Sequence, residues 1–216
     1  MAAVSDLAWG TWDQTLPQIQ IGKHSISRLI MGTNPFNALS HQSKFIDIEM
    51  QRFYTPEQIL NTLSRAQANG INCVQNLDPA LYRRFLDKGG KMHLILNGEG
   101  GPEAVAKYAA SGCIGIHYFG IRVDNLFKQG KLDMIEPFLK AVRDAGLLVG
   151  VSTHIPAVVD AVESEGWVHD AGVSGSGSHA VCPAFPEVFE ATAEFVTAQG
   201  DDGIGAANGP MHARTF

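Results

Sequence analysis

Two apolar runs in this 216-residue chain end on a histidine: Ile114-Gly115-Ile116-His117, and residues 147–154, which close on His154. Helical pattern follows the first run and precedes the second. An imidazole in such a place can move protons near neutral pH or, as the neutral ring, bind a metal. Glu99, just after a third apolar run, completes two imidazoles and a carboxylate, the commonest ligand set for a catalytic divalent metal. His117, His154 and Glu99 are the metal ligands of one reading, a metal-assisted lyase, isomerase or hydrolase. No two of them share a short motif such as HxH, so that reading depends on the fold bringing three strand ends together. A histidine at a strand end can equally be a hydrogen-bonded structural residue, and for each one taken singly that alternative stands.

Other polar groups gather at the same places. Asn34, Asn37 and His41 follow the first strand run, Gln75, Asn76 and Asp78 the second, and Asn97 and Glu99 the third. Ser152 and Thr153 precede His154 on the fifth. Ligands of parallel α/β proteins sit at the carboxyl ends of the strands. Asn34, His41, Gln75, Asn97, Glu99 and His154 are therefore expected to line a site for a small-molecule substrate. The stretch Asn97-Gly98-Glu99-Gly100-Gly101 runs into a helix start, which suits either an anion cradle or an ordinary strand-to-helix loop. Neither GxGxxG nor a phosphate-binding loop occurs.

The elements that must position these residues follow from periodicity. A hairpin is expected from Gln18-Ile19-Gln20-Ile21 and its return through Gly22-Lys23-His24, then a strand over residues 28–32 and a polar loop to residue 43. Thr55 as cap and Pro56 in the first turn open a helix with Ile59, Leu60, Leu63 and Ala66 on its buried face, closed by Gly70. Strands over 71–77, 91–96, 113–117 and 147–151 then alternate with helices over 80–87, 102–110, 132–145 and from Pro156 to Gly166. This order predicts an α/β fold of right-handed βα units on a parallel sheet. A sixth strand is due near Trp167, but residues 172–178 are Gly and Ser with one Val and read as a linker. An amphipathic helix over 187–199 and a disordered end follow. The expected organisation is a barrel-like domain over 1–167 and an atypical or truncated segment over 168–216.

Composition narrows the class. Hydrophobic content of 45% and charged content of 18% suit a single globular domain. No apolar run is long enough to span a bilayer, and no leader-like segment opens the chain, so a soluble, cytoplasmic protein with no membrane partner is expected. Cys73 and Cys113 fall in apolar runs as small buried hydrophobes, and Cys182 has no CxxC partner. Residues 1–150 hold 15 basic and 13 acidic side chains, whereas residues 151–216 hold Arg214 against nine acids. Neither part shows a basic stripe with interleaved aromatics, which argues against nucleic acid.

Five weak motifs in order resemble the aldo/keto reductases over residues 18–166. They are Ile19-Gln20-Ile21-Gly22 through Gly32-Thr33, then Gly70-Ile71-Asn72, Gly115-Ile116-His117, Leu126 to Lys131, and Gly150-Val151-Ser152-Thr153-His154. The resemblance implies a (β/α) barrel of TIM type, here incomplete with about five βα units after the hairpin. It implies an NADP-dependent oxidoreductase on a small polar carbonyl or sugar-like substrate. His117 matches the family's catalytic His, Asp78 and Tyr82 lie near its Asp and Tyr positions, and Gly32, Thr33 and Ser152 fall where the cofactor is contacted. The pattern also departs from the family: Gln75 and Ala80 occupy the counted Asp and Tyr positions, and no Lys ends the third strand. A phenol without a nearby cation protonates a carbonyl poorly at neutral pH. A third reading is therefore a non-catalytic incomplete barrel whose open strand edges are covered by a homo-oligomeric partner.

Overall fold

The computed structural model describes residues 16–167 and, as backbone, 173–175. The helix expected over 187–199, the expected disordered end and Cys182 lie outside the described residues.

The chain opens with an antiparallel hairpin, β1 (Gln18–Ile21) and β2 (His24–Ser27), in register from Gln18 opposite Ser27 to Ile21 opposite His24. The two-residue turn between them has Gly22 at φ +56°, a left-handed conformation that a residue without Cβ adopts at low cost. Five parallel strands then form one sheet in sequential order: β3 (Cys73–Gln75), β4 (His93–Gly98), β5 (Gly115–Tyr118), β6 (Leu148–Thr153) and β7 (Val173–Gly175). Among the described residues the sheet does not close on itself. The α/β class and the incomplete barrel read from the sequence are both observed.

Helices α2 (Pro56–Ala68), α3 (Pro79–Asp87), α4 (Val105–Ala109), α5 (Gly120–Lys128), α6 (Glu136–Asp144) and α7 (Pro156–Ser164) connect or follow the strands. Helix α2 starts where the sequence places it. The Thr55 hydroxyl accepts from the Gln58 amide, Pro56 fills the first position, and Ile59, Leu60 and Leu63 are buried.

Four elements differ from expectation, the first being helix α5 (Gly120–Lys128), which fills a stretch where the sequence reading places no helix. The strand expected over residues 28–32 reduces to one parallel bridge, Met31 to Val74, because Leu29 and Ile30 turn to solvent at 44% and 36% exposure. Val173–Gly175, inside the expected linker, pairs in parallel with Val151–Thr153. Its Val-Ser-Gly sequence is too short to show strand periodicity, and the pairing along β6 defines it. The expected polar loop is followed by an additional helix, α1 (Lys44–Phe53), capped by Ser43. Its apolar side chains face outward, with Phe45 at 83% exposure, and Phe45, Met50, Phe53 and Tyr54 help line a surface groove.

The sheet separates two cores. On the helix side, Val74, Leu94, Leu96, Ile116, Tyr118, Val149 and Val151 pack against α2 through α7, with Phe85 and Phe138 almost fully buried. On the other face, Ile95, Cys73 and Leu148 pack against Ile21 and Ile26 of the hairpin. The hairpin thus seals the inner face at the end where the strands begin. Asn72 fastens it: the Ser27 amide donates to Asn72 Oδ1 (2.8 Å), and Asn72 Nδ2 donates to the Ser25 carbonyl (2.8 Å). The helices described are not long and apolar enough to cross a membrane.

Candidate functional site

Side chains alternate faces along a strand, so the residues that follow the apolar plug on the inner face are determined by register. Asn97, His117 and Gly150 are direct neighbours across β4, β5 and β6, and Gln75 pairs with Ile95 one step below Asn97. Beyond Gly150 the next inward residue of β6 is Ser152. Gln75, Asn97, His117 and Ser152 thus form a polar row where the strands end, above the apolar floor of Ile95, Cys73 and Leu148.

His117 is the centre of this row. It is 5% exposed, and both its nitrogens are engaged. Gln75 Nε2 donates to His117 Nε2 at 2.8 Å, which makes that nitrogen the acceptor and puts the ring proton on Nδ1, from where it is donated to Ser152 Oγ. Burial lowers the His117 pKa from 6.5 to about 4, so the ring is neutral at physiological pH. Asn97 differs from its neighbours: its Oδ1 is buried and accepts no hydrogen bond from the described residues. A buried acceptor of this kind lacks about 1–3 kcal/mol that a donor would restore.

His154 stands at the rim just past β6 and is held from the helix side. Its Nδ1 donates to Asp124 Oδ2 at 2.6 Å, and its backbone amide donates to both oxygens of the same carboxylate. Thr153 Oγ1 donates to Asp124 Oδ1 at 2.6 Å. Burial alone would raise the Asp124 pKa, but the bonds from Thr153 and His154 outweigh it and hold the carboxyl below its ordinary range. Asp124 comes from the first half of α5, and only Phe119 separates that helix from β5. The short link brings α5 against the end of β6, where a Cβ on Gly120 would lie 3.1 Å from Ser152 Cβ.

The other predicted residues are distributed as follows. Asp78 accepts from the Ala80 and Leu81 amides and caps α3. Tyr82 is buried with its hydroxyl donating to the Met92 carbonyl, just before β4 begins. Met92 precedes Asn97 by five residues, about 16 Å of strand, so Tyr82 is at the opposite end of the sheet from His117. His117, Asp78 and Tyr82 are not assembled as a catalytic set. The four-residue spacing of Asp78 and Tyr82 reflects a cap and the first buried position of α3.

The residues expected to contact a nicotinamide cofactor are also engaged otherwise. Thr33 is buried and its hydroxyl donates to the carbonyls of Gln75 (3.0 Å) and Asn76 (2.9 Å), fixing the end of β3. A Cβ on Gly32 would meet nothing within 4 Å, so no close approach requires glycine there. Ser152 belongs to the His117 network.

Asn34 and His41 are brought together, Asn34 Nδ2 donating to His41 Nε2 at 3.3 Å on the exposed loop. Glu99 faces outward in an ion pair with Arg122 at 2.8 Å. Glu99, His117 and His154 do not converge, and among the described residues no three His, Cys, Asp or Glu side chains are placed to hold a metal ion together. Asp124 was missed by sequence reasoning. It lies inside a helix, and no local pattern marks it; its meaning comes from contacts 29 and 30 residues away.

No family model matches the chain, and no curated protein matches it. Among solved structures, an HpcH/HpaI aldolase from Desulfitobacterium hafniense DCB-2 resembles it over 68% of this chain and 80% of that one, with 12% identity and a TM-score of 0.35. The resemblance of residues 18–166 to aldo/keto reductases thus has no family-model counterpart, and the side chains themselves are what speak to function.

Proposed function

We propose that this chain is a lyase- or isomerase-type enzyme that moves a proton next to the carbonyl of a small polar substrate. His154 is the acid–base group, and Asp124 is its positioning residue. The contact that carries the reading is His154 Nδ1 to Asp124 Oδ2 at 2.6 Å. With Nδ1 donating, Nε2 is the ring nitrogen that exchanges a proton with the substrate, and the carboxylate fixes that tautomer and the orientation of the ring. The row beside it supplies binding without charge: Asn97 Oδ1 accepts a substrate hydroxyl, while Ser152 and Gln75 orient substrate oxygens around the neutral His117. This reading keeps the strand-end location read from the sequence but not hydride transfer, since the phenol of Tyr82 is at the other end of the sheet.

The test is exchange of the carbon-bound protons of dihydroxyacetone in D2O, followed by NMR with the full chain. Wild-type protein is expected to exchange them above the buffer rate. His154→Gln is expected to lose about 100-fold or more of that acceleration, the usual contribution of a positioned acid–base group. Asp124→Asn is expected to lose less, with a shifted pH profile. Exchange that survives in His154→Gln overturns the proposal. So does its absence in the wild type together with saturable NADPH binding by fluorescence, which returns the reductase reading.

A further inference from the structure

The end of the inner face opposite the polar row holds a second pair of histidines that the proposed chemistry does not use. His24 opens β2 of the hairpin and His93 opens β4 of the sheet. Their rings meet edge to face, with centroids 5.3 Å apart and planes at 72°. They come from separate elements 69 positions apart in sequence, so only the docking of the hairpin brings them together. Each ring is partly buried, and among the described residues each has the other as its ring contact, with no side-chain hydrogen bond to either.

Burial, reinforced by Lys23 for His24 and by His24 for His93, lowers both pKa values. Both imidazoles are therefore neutral at physiological pH, the form that binds metals. Neutral imidazole favours zinc, nickel and copper over magnesium or calcium, which prefer oxygen ligands. Cys73, the register partner of His93, does not join them: its thiol is buried in the plug, and burial pushes its pKa to about 12.

We infer that His24 and His93 form a two-histidine site for a divalent transition metal of the zinc or nickel class, whose binding staples the hairpin to the sheet. Two protein ligands leave the remaining coordination positions to water, so the site is a clamp that strengthens the plug. It is independent of the His154 chemistry. A metal held there binds the docked hairpin and not the released one, and raises stability by mass action.

The experiment is calorimetric titration of zinc chloride, and separately nickel chloride, into the full chain at pH 7.5, paired with thermal unfolding. One equivalent is expected to bind and to raise the unfolding midpoint. His24→Ala and His93→Ala are each expected to weaken binding at least tenfold and to abolish the midpoint shift. His41→Ala, and a variant with His169, His179 and His212 all replaced by Ala, are expected to keep both. His24→Gln and His93→Gln, checked for native circular dichroism, separate lost ligation from lost folding. Binding unchanged in folded His24→Gln and His93→Gln, or no binding by the wild type, overturns the inference.

Discussion

The two ends of the inner sheet face are made from the same four strands and are opposite in character. Where the strands begin, Cys73, Ile95 and Leu148 meet Ile21 and Ile26 of the hairpin, and the interface is apolar. Where they end, Gln75, Asn97, His117 and Ser152 replace them within one or two alternations of each strand. The first end is sealed by a local element and contributes cohesion. The second carries a buried neutral imidazole and an acceptor with no donor among the described residues, features that cost stability and make sense where a ligand arrives.

The comparison breaks most readily at the sealed end. Ile26 is fully buried between hairpin and sheet, and Ile26→Ala is expected to destabilise the protein by about 2–5 kcal/mol through lost burial and the cavity left behind. Urea unfolding followed by circular dichroism measures this, and a loss below 1 kcal/mol would mean that the hairpin does not seal the sheet.

Acid tests the other end. Because the His117 pKa is lowered to about 4 in the folded protein, the unfolded chain binds more protons as pH falls from about 6.5 to 4. Stability is expected to decline across that window by about 3 kcal/mol, with no further loss from this residue below it. His117→Gln should flatten that part of the pH profile, and an unchanged profile would contradict the neutral buried ring.

A smaller effect with the reverse sign sharpens the contrast. Asn97→Leu removes an acceptor with no partner among the described residues and is expected to raise stability by about 1 kcal/mol while weakening dihydroxyacetone exchange. A loss of stability instead would place Asn97 among ordinary structural residues.

Much of this frame was legible in the residues. The Thr55-Pro56 start and the Ile59-Leu60-Leu63 face are local signals that the packing kept. His117 and His154 were identified at strand ends, as were Gln75, Asn97 and Ser152, but sequence order did not show which of these touch. Register did, by setting Asn97 beside His117 and leaving Gln75 and Ser152 to bond the ring from two sides. Residues 28–32 were read as a strand because an apolar run resembles one whether or not a neighbour pairs with it, and 173–175 were read as linker because three residues amid Gly and Ser show no strand period. Asp78 and Tyr82 were offered for chemistry because they lie near the Asp and Tyr positions of the resembling family; here the first caps α3 and the second is its first buried residue. Helices α1 and α5 were not placed; the apolar residues of α1 face outward in the fold and join no core cluster.

Gly98 limits how this pocket can be redesigned. A Cβ there would lie 2.6 Å from Ile116 Cγ2 and from Phe138 Cζ, so any larger residue would have to displace core side chains that back the strand carrying Asn97. A mutational library meant to change substrate preference should hold position 98 constant and vary 75, 97 and 152, where diversity alters the lining without displacing that core.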